Sequence, residues 1–417
     1  MRKSIAQKLT SSLLRSKSSR ATAQVSAESS ASIADVSQST HSAATSRNIR
    51  ELSVRLDDYL ERVDLSGDAV ELDVISMSRQ IEKVKKYTNG ALPDAVVPYS
   101  MNEDDFGMVK VAAWSAKAVY ASDTAHTEHI ARPEEISDYF PTQHSEKIDA
   151  SFRDGTVKAT RIQMFSAQKE GLPSRLLVVA IRGSTSKRRD WTINFDDVGK
   201  GTEGEGFVDI EDRKYQVHGG FLECAKAMVE KVSDSISSIL SKAGTRSTDG
   251  DFRLLFTGHS AGGAVASLLY AHMVSRNSSR LTELSSKFAS VDCIVFGAPP
   301  VSNPALDPPG EGSTFLSIIN EGDPVPRMDK DYIESLLMIY ICPEPRAALT
   351  WELPQMLLNN GGTALFMKDG EENLCAVADD VGQKKIRRVL ETTIFGNPRA
   401  HKMDMYLWKL GLVKGLF

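Results

Sequence analysis

A chain of 417 residues is long enough for one large domain with appendages, or for two domains of average size. Its 41% hydrophobic and 25% charged residues suit a globular protein, and a net charge of -5 leaves no chain-wide basic field for nucleic acid or an anionic membrane. No apolar run approaches the roughly 18 residues of a membrane span. The four cysteines, Cys224, Cys293, Cys342 and Cys375, contain no CxxC pair, which argues against structural zinc or a disulfide framework and fits a reducing compartment.

Residues 1–50 differ in kind from the rest. They hold eight Lys or Arg against Glu28 and Asp35, a balance of +6, so the remainder carries -11. Serine, threonine and alanine dominate this arm and aromatic residues are absent, so it cannot bury enough area to offset chain entropy and is expected to be disordered. Ile5, Leu9 and Leu13 recur at helical spacing beside basic residues, a pattern shared by mitochondrial presequences and by plain basic arms. No h-region follows, which excludes a secretory signal. The expectation is a cytoplasmic protein, with mitochondrial location as the alternative.

Leu52, Leu56, Tyr59, Leu60 and Val63, then an amphipathic run from Val70 to Val84, predict a small helical annex over residues 51–100. Asn102 precedes an acidic start and an apolar face of Met108, Val111, Ala112, Ala116 and Val119, so a helix reaching Tyr120 should open the main domain, residues 101–417. Four short apolar runs follow, Leu176–Ile181, Leu254–Thr257, Val291–Phe296 and Phe315–Ile319. Each has the length and continuity of a strand buried on both faces. Helical stretches separate them, with Phe221, Leu222, Ala225, Met228, Val229, Val232 and Ile236 on one apolar stripe. Alternation of this kind predicts an α/β fold with a mostly parallel sheet flanked by helices.

Between the second run and the next helix stands Gly258-His259-Ser260-Ala261-Gly262, a G-x-S-x-G pentapeptide. The pattern alone is weak, but strand, sharp turn and helix in that order are what a nucleophile elbow requires. A hydroxyl at neutral pH needs a base to take its proton and an acid to orient that base. Among eight histidines, His41 lies in the arm, His126, His129 and His144 fall before the sheet, His259 sits in the elbow pointing away from the serine, and His272 is far along the next helix. His218, before Gly219-Gly220, is expected to pack beneath the site. His401 remains, in a loop after the last predicted strand. Asp323 lies just past the strand ending at Ile319, with Asp307 and Asp329 as rivals, and the order Ser, acid, His is that of an α/β-hydrolase.

These residues resemble the class 3, or fungal-type, lipases, which are α/β-hydrolases. Val178 to Ser184 looks like the family strand ending in R-G-S, and Asp190-Trp191 with Asn194 resembles the segment after it. Val217-His218-Gly219-Gly220-Phe221 is similar to V-H-x-G-F, Gly258–Gly263 to the elbow, Phe296-Gly297-Ala298-Pro299 to F-G-A-P, and Asp323–Arg327 to the acid block. His401 with Tyr406 resembles the terminal H-x-x-x-x-Y region. The resemblance implies the triad Ser260, Asp323 and His401, and an oxyanion hole in which Ser184 joins the backbone N–H of Ala261 next to the nucleophile. A rival oxyanion loop is His218-Gly219-Gly220-Phe221. Ala261 and Pro300 depart from the leucine and arginine usual at those positions without removing a reacting group.

The expected activity is hydrolysis of carboxylic esters through an acyl-enzyme, with acylglycerols as substrate, no metal or organic cofactor, and transient contact with a lipid surface. Feruloyl-type or other carboxylesterase activity is the alternative within the class, and a noncatalytic lipid-binding or scaffold protein the alternative outside it. Residues 185–195 correspond by resemblance to a lid in which Trp191, Ile193 and Phe195 are the large apolar residues. Lys187-Arg188-Arg189 beside them suits water, which predicts weak interfacial activation.

Overall fold

The computed structural model describes residues 74–120, 138–151, 156–167, 175–183, 202–203, 207–210, 213–244, 252–307, 312–371, 373–378 and 384–413. The basic arm, Ser184 and the whole expected lid with Trp191 lie outside the described residues.

The elements are α1 (Val74–Val84), β1 (Val96–Pro98), α2 (Glu103–Ala118), β2 (Tyr139–Ile148), β3 (Thr160–Ala167), β4 (Arg175–Ile181), β5 (Thr202–Glu203), β6 (Gln216–Val217), α3 (Gly219–Lys242), β7 (Phe252–His259), α4 (Ala261–Met273), α5 (Arg280–Leu284), β8 (Ser290–Phe296), β9 (Ser302–Asn303), β10 (Phe315–Asn320), α6 (Lys330–Ile341), β11 (Thr363–Met367), β12 (Cys375–Val377), α7 (Lys384–Thr392) and α8 (Met403–Lys409). Nine strands form one sheet in the order β1-β12-β11-β10-β8-β7-β4-β3-β2, and β5, β6 and β9 form a small second one. The five central strands, β11, β10, β8, β7 and β4, run parallel. The outer strands pair antiparallel. This is the mostly parallel α/β sheet expected from the alternating runs.

Burial on both faces explains why the central strands read as continuous apolar runs. In β4, Leu177 and Val179 enter the core under α3 and α4, whereas Leu176 and Val178 enter the one under α2 and α8. Asn102 caps α2 by accepting the Asp105 N–H at 2.8 Å, which fixes the predicted helix start. A third core joins α1, α6 and α7 to Ile319 and Phe366 of the sheet.

Sequence periodicity missed the sheet's margins. Strand β2 alternates between buried or half-buried and exposed residues, so His144, expected ahead of the sheet, lies within an edge strand. The annex expected over residues 51–100 is helical only in part. Residues 51–73 lie outside the described residues, while Val96–Pro98 pairs with β12, and Val84, Tyr87 and Leu92 join the third core. A three-residue strand carries too few residues to show a period.

Candidate active site

The parallel strands end together, and the reacting side chains stand on the turns that leave them. Strand β7 ends at His259, Ser260 forms the turn, and Ala261 begins α4. Ser260 has φ 58° and ψ -136°, and it alone among the described non-glycine residues has positive φ. Such a conformation costs about 1–3 kcal/mol and must be held by its surroundings. Two contacts do so. The Ser260 N–H donates to the Phe296 carbonyl at 3.0 Å, and Gly262 packs so closely that a Cβ there would collide with the Ile181 carbonyl.

Strand β10 delivers the acid. Asp323 follows it by three residues and is wholly buried, as is His401, which comes from a 3-10 turn spanning Pro398–His401. His401 Nδ1 lies 3.0 Å from both Asp323 carboxylate oxygens, and Nε2 lies 3.0 Å from Ser260 Oγ. A carboxylate only accepts, so Nδ1 carries the proton and Nε2 is free to accept from the serine. Asp323 also accepts the Val325 N–H at 2.9 Å and the Tyr406 hydroxyl at 2.5 Å. Burial and the adjacent carboxylate push the Tyr406 hydroxyl well above its ordinary pKa, so it remains a donor. The carboxylate at His401 Nδ1 is that of Asp323, whereas Asp307, half-exposed, lies 3.9 Å from Arg213 and Asp329 caps α6.

Gly297, at the end of β8, is the hub of this packing. Its φ is +52°, and a Cβ would lie 2.6 Å from Asp323 Oδ2, 2.9 Å from the Tyr406 hydroxyl and 3.1 Å from His401 Nδ1. Only a residue without a side chain lets acid, base and tyrosine converge there.

The sequence reading turned His259 away from the serine, and the structure adds what it does there. Its ring stacks on that of His401 with centroids 4.5 Å apart, and its Nε2 donates to the His401 carbonyl at 2.7 Å. Nδ1 is then an acceptor, 3.3 Å from the Tyr120 hydroxyl, which accepts the Gly183 N–H at 3.0 Å. Burial, followed by the neighbouring His401, holds the His259 pKa well below the ordinary value, so this ring stays neutral beside the base. Tyr120, read only as a helix end, thus ties the residue preceding Ser184 to the base. Nothing in local sequence signals that contact, because 139 positions separate Tyr120 from His259.

Ala261 opens α4 and is buried, so its N–H belongs to the first helical turn, where no carbonyl lies one turn back to receive it. His218 heads α3, gives its N–H to the Val301 carbonyl at 2.9 Å and packs its ring against Phe221. Among the described residues no group of His, Cys, Asp and Glu could hold a metal ion, and no helix is long and apolar enough to cross a membrane.

A strained serine on a strand-to-helix elbow, joined through a buried histidine to a buried aspartate at the ends of parallel strands, defines the class: an α/β-hydrolase with a serine triad. Residues 178–332 match the model of the family Lipase (class 3). That segment, which holds Ser260 and Asp323, is similar to the class 3 lipases, and its match together with the triad geometry supports a carboxylic ester hydrolase. Comparison with curated proteins gives no match. Among solved structures, the chain is similar to a triacylglycerol lipase from Penicillium expansum at 16% identity, covering 71% of this chain and 91% of that one with a TM-score of 0.43. It is also similar to a lipase from Rhizopus microsporus var. chinensis (17%, 74% and 92%, TM-score 0.41) and to the Rhizomucor miehei triacylglyceride lipase (14%, 73% and 95%, TM-score 0.42).

Proposed function

We propose that this enzyme hydrolyses acylglycerols through an acyl-enzyme on Ser260. The observation that carries the reading is the unbroken chain from Ser260 Oγ through His401 to Asp323, with 3.0 Å at each link. His401 Nε2 takes the serine proton as Oγ attacks the ester carbonyl, and Asp323 holds the imidazole in the required tautomer and offsets the imidazolium charge. The tetrahedral oxyanion turns toward the Ala261 N–H, at the positive end of α4, and the resemblance to the class 3 lipases makes Ser184 its second donor. His401 then gives its proton to the leaving alcohol, and water repeats the sequence to release the acid.

The substrate class is supported by the likeness of residues 178–332 to the class 3 lipases. A fluorophosphonate probe tests the chemistry: it should label wild type at Ser260 and leave Ser260→Ala unlabelled, and an unlabelled wild type would refute the reading. Turnover of feruloyl esters with none on mono-, di- or triacylglycerol would move the substrate class to aryl esters. We also propose a cytoplasmic location, supported by the four free cysteines, and recovery from purified mitochondria would overturn it.

A further inference from the structure

We infer that Asn320 is a positioning residue for the catalytic base, acting through the backbone of the histidine turn; this inference rests on the serine-hydrolase reading above. Asn320 is the last residue of β10, three positions before Asp323, and it is wholly buried. Its Nδ2 donates to the Ala400 carbonyl at 2.8 Å, across 80 residues of sequence. Its backbone N–H donates at 3.1 Å to the Tyr406 hydroxyl, which in turn donates to Asp323 Oδ2. Its backbone carbonyl accepts the Asp323 N–H at 3.1 Å. One residue therefore touches the acid's backbone, the acid's second hydrogen-bond donor and the peptide immediately before the base.

The physical need is clear from the turn that carries His401. A 3-10 turn spanning Pro398–His401 leaves its last carbonyls without partners of its own. Two side chains supply them: Asn320 at Ala400, and His259 Nε2 at His401 itself. Both donors stand at the ends of central parallel strands, β10 and β7, the same strands that present the acid and the nucleophile. The base arrives on a separate, late segment of chain and is registered to the other two by these clamps. Asn320 Oδ1 is buried without a hydrogen-bond partner, so this amide is held at the cost of one unmet acceptor.

The test uses Asn320→Leu and Asn320→Asp in the full chain, with urea unfolding as the control for folding. Leu removes the donor and should lower kcat on a soluble ester, and the fluorophosphonate labelling rate at Ser260, by about tenfold, with KM within twofold. Asp carries a donor only when protonated. Amid Asp323, His401, Tyr406 and the Ala400 carbonyl, its activity relative to wild type at the same pH should rise as pH falls, while the ratio for Leu stays flat. A merely structural role would lower stability in both variants without this divergence. Folded Asn320→Leu that labels at the wild-type rate overturns the inference, as does a pH-independent Asp ratio if Leu does not fold. Wild type that does not label at Ser260 overturns the serine-hydrolase reading itself, and the inference with it.

Discussion

Replacing Gly297 by alanine should disable the site while leaving the fold in place. Two costs arise from one methyl group. At φ +52° an L side chain meets the following carbonyl, a strain of about 1–2 kcal/mol. The Cβ would also lie 2.6 Å from Asp323 Oδ2, where ordinary contact begins at 3.4 Å, and near Tyr406 and His401 as well. All three partners are buried and mutually hydrogen-bonded, so the carboxylate must shift by more than half an ångström and draw His401 off Ser260. Misplacement on that scale costs on the order of 10²-fold in rate. We expect Gly297→Ala to lose about 1–3 kcal/mol in urea unfolding and about 10²-fold in kcat on a soluble ester, with KM little changed. Gly244→Ala is the control, since its φ is +65° with nothing within 4 Å of the added Cβ. It should carry only the backbone strain and leave kcat untouched. A Gly297→Ala enzyme with kcat within twofold of wild type would show that the triad tolerates the displacement and that this reasoning is wrong.

Tyr406→Phe removes a donor from Asp323 and an acceptor from the Asn320 N–H; kcat should fall about tenfold with stability lower by about 1–3 kcal/mol, measured by ester turnover and urea titration, and an unchanged kcat would place the hydroxyl outside the machinery. Arg327 is wholly buried and donates to Asp329 and to the Leu390 and Pro354 carbonyls, so Arg327→Met should destabilise by about 3–5 kcal/mol, and a loss below 1 kcal/mol in chemical unfolding would contradict this. His272 has its pKa lowered by burial, against which its hydrogen bond to the Phe207 carbonyl works only partly. A depressed folded pKa means that the unfolded chain takes up the proton first, so this stability is complete above about pH 6.5 and is lost as pH falls below it. His272→Gln should flatten the dependence of unfolding free energy on pH below about 6.5 by up to about 1.4 kcal/mol per pH unit, and an unaltered slope would exclude His272 as its source. For the segment 185–195, hydrolysis of soluble short-chain esters should proceed without an interface, and a rate that jumps only at the substrate's solubility limit would refute the weak-lid expectation.

Local signals carried the middle of the chain. Four of the five central strands, β4, β7, β8 and β10, were legible because burial on both faces makes each a continuous apolar run, whereas β11 was not predicted; Ser260 was legible because strand, glycine-flanked turn and helix follow one another within a few residues. Asn102 announced its helix for the same local reason, a side chain capping its own first turn. Asp323 and His401 were found by chain order and family resemblance, since spacing in sequence says nothing about an approach across 78 positions. The sheet's edges escaped: β12 and β1 are three residues each, too short for a period, and their strand character comes from pairing with one another. Tertiary structure alone decided how the base is held. The contacts of Tyr120, His259 and Asn320 and the crowding at Gly297 join segments distant in sequence, and each consists of a hydrogen bond or a van der Waals limit that exists only once the sheet has brought its strand ends together.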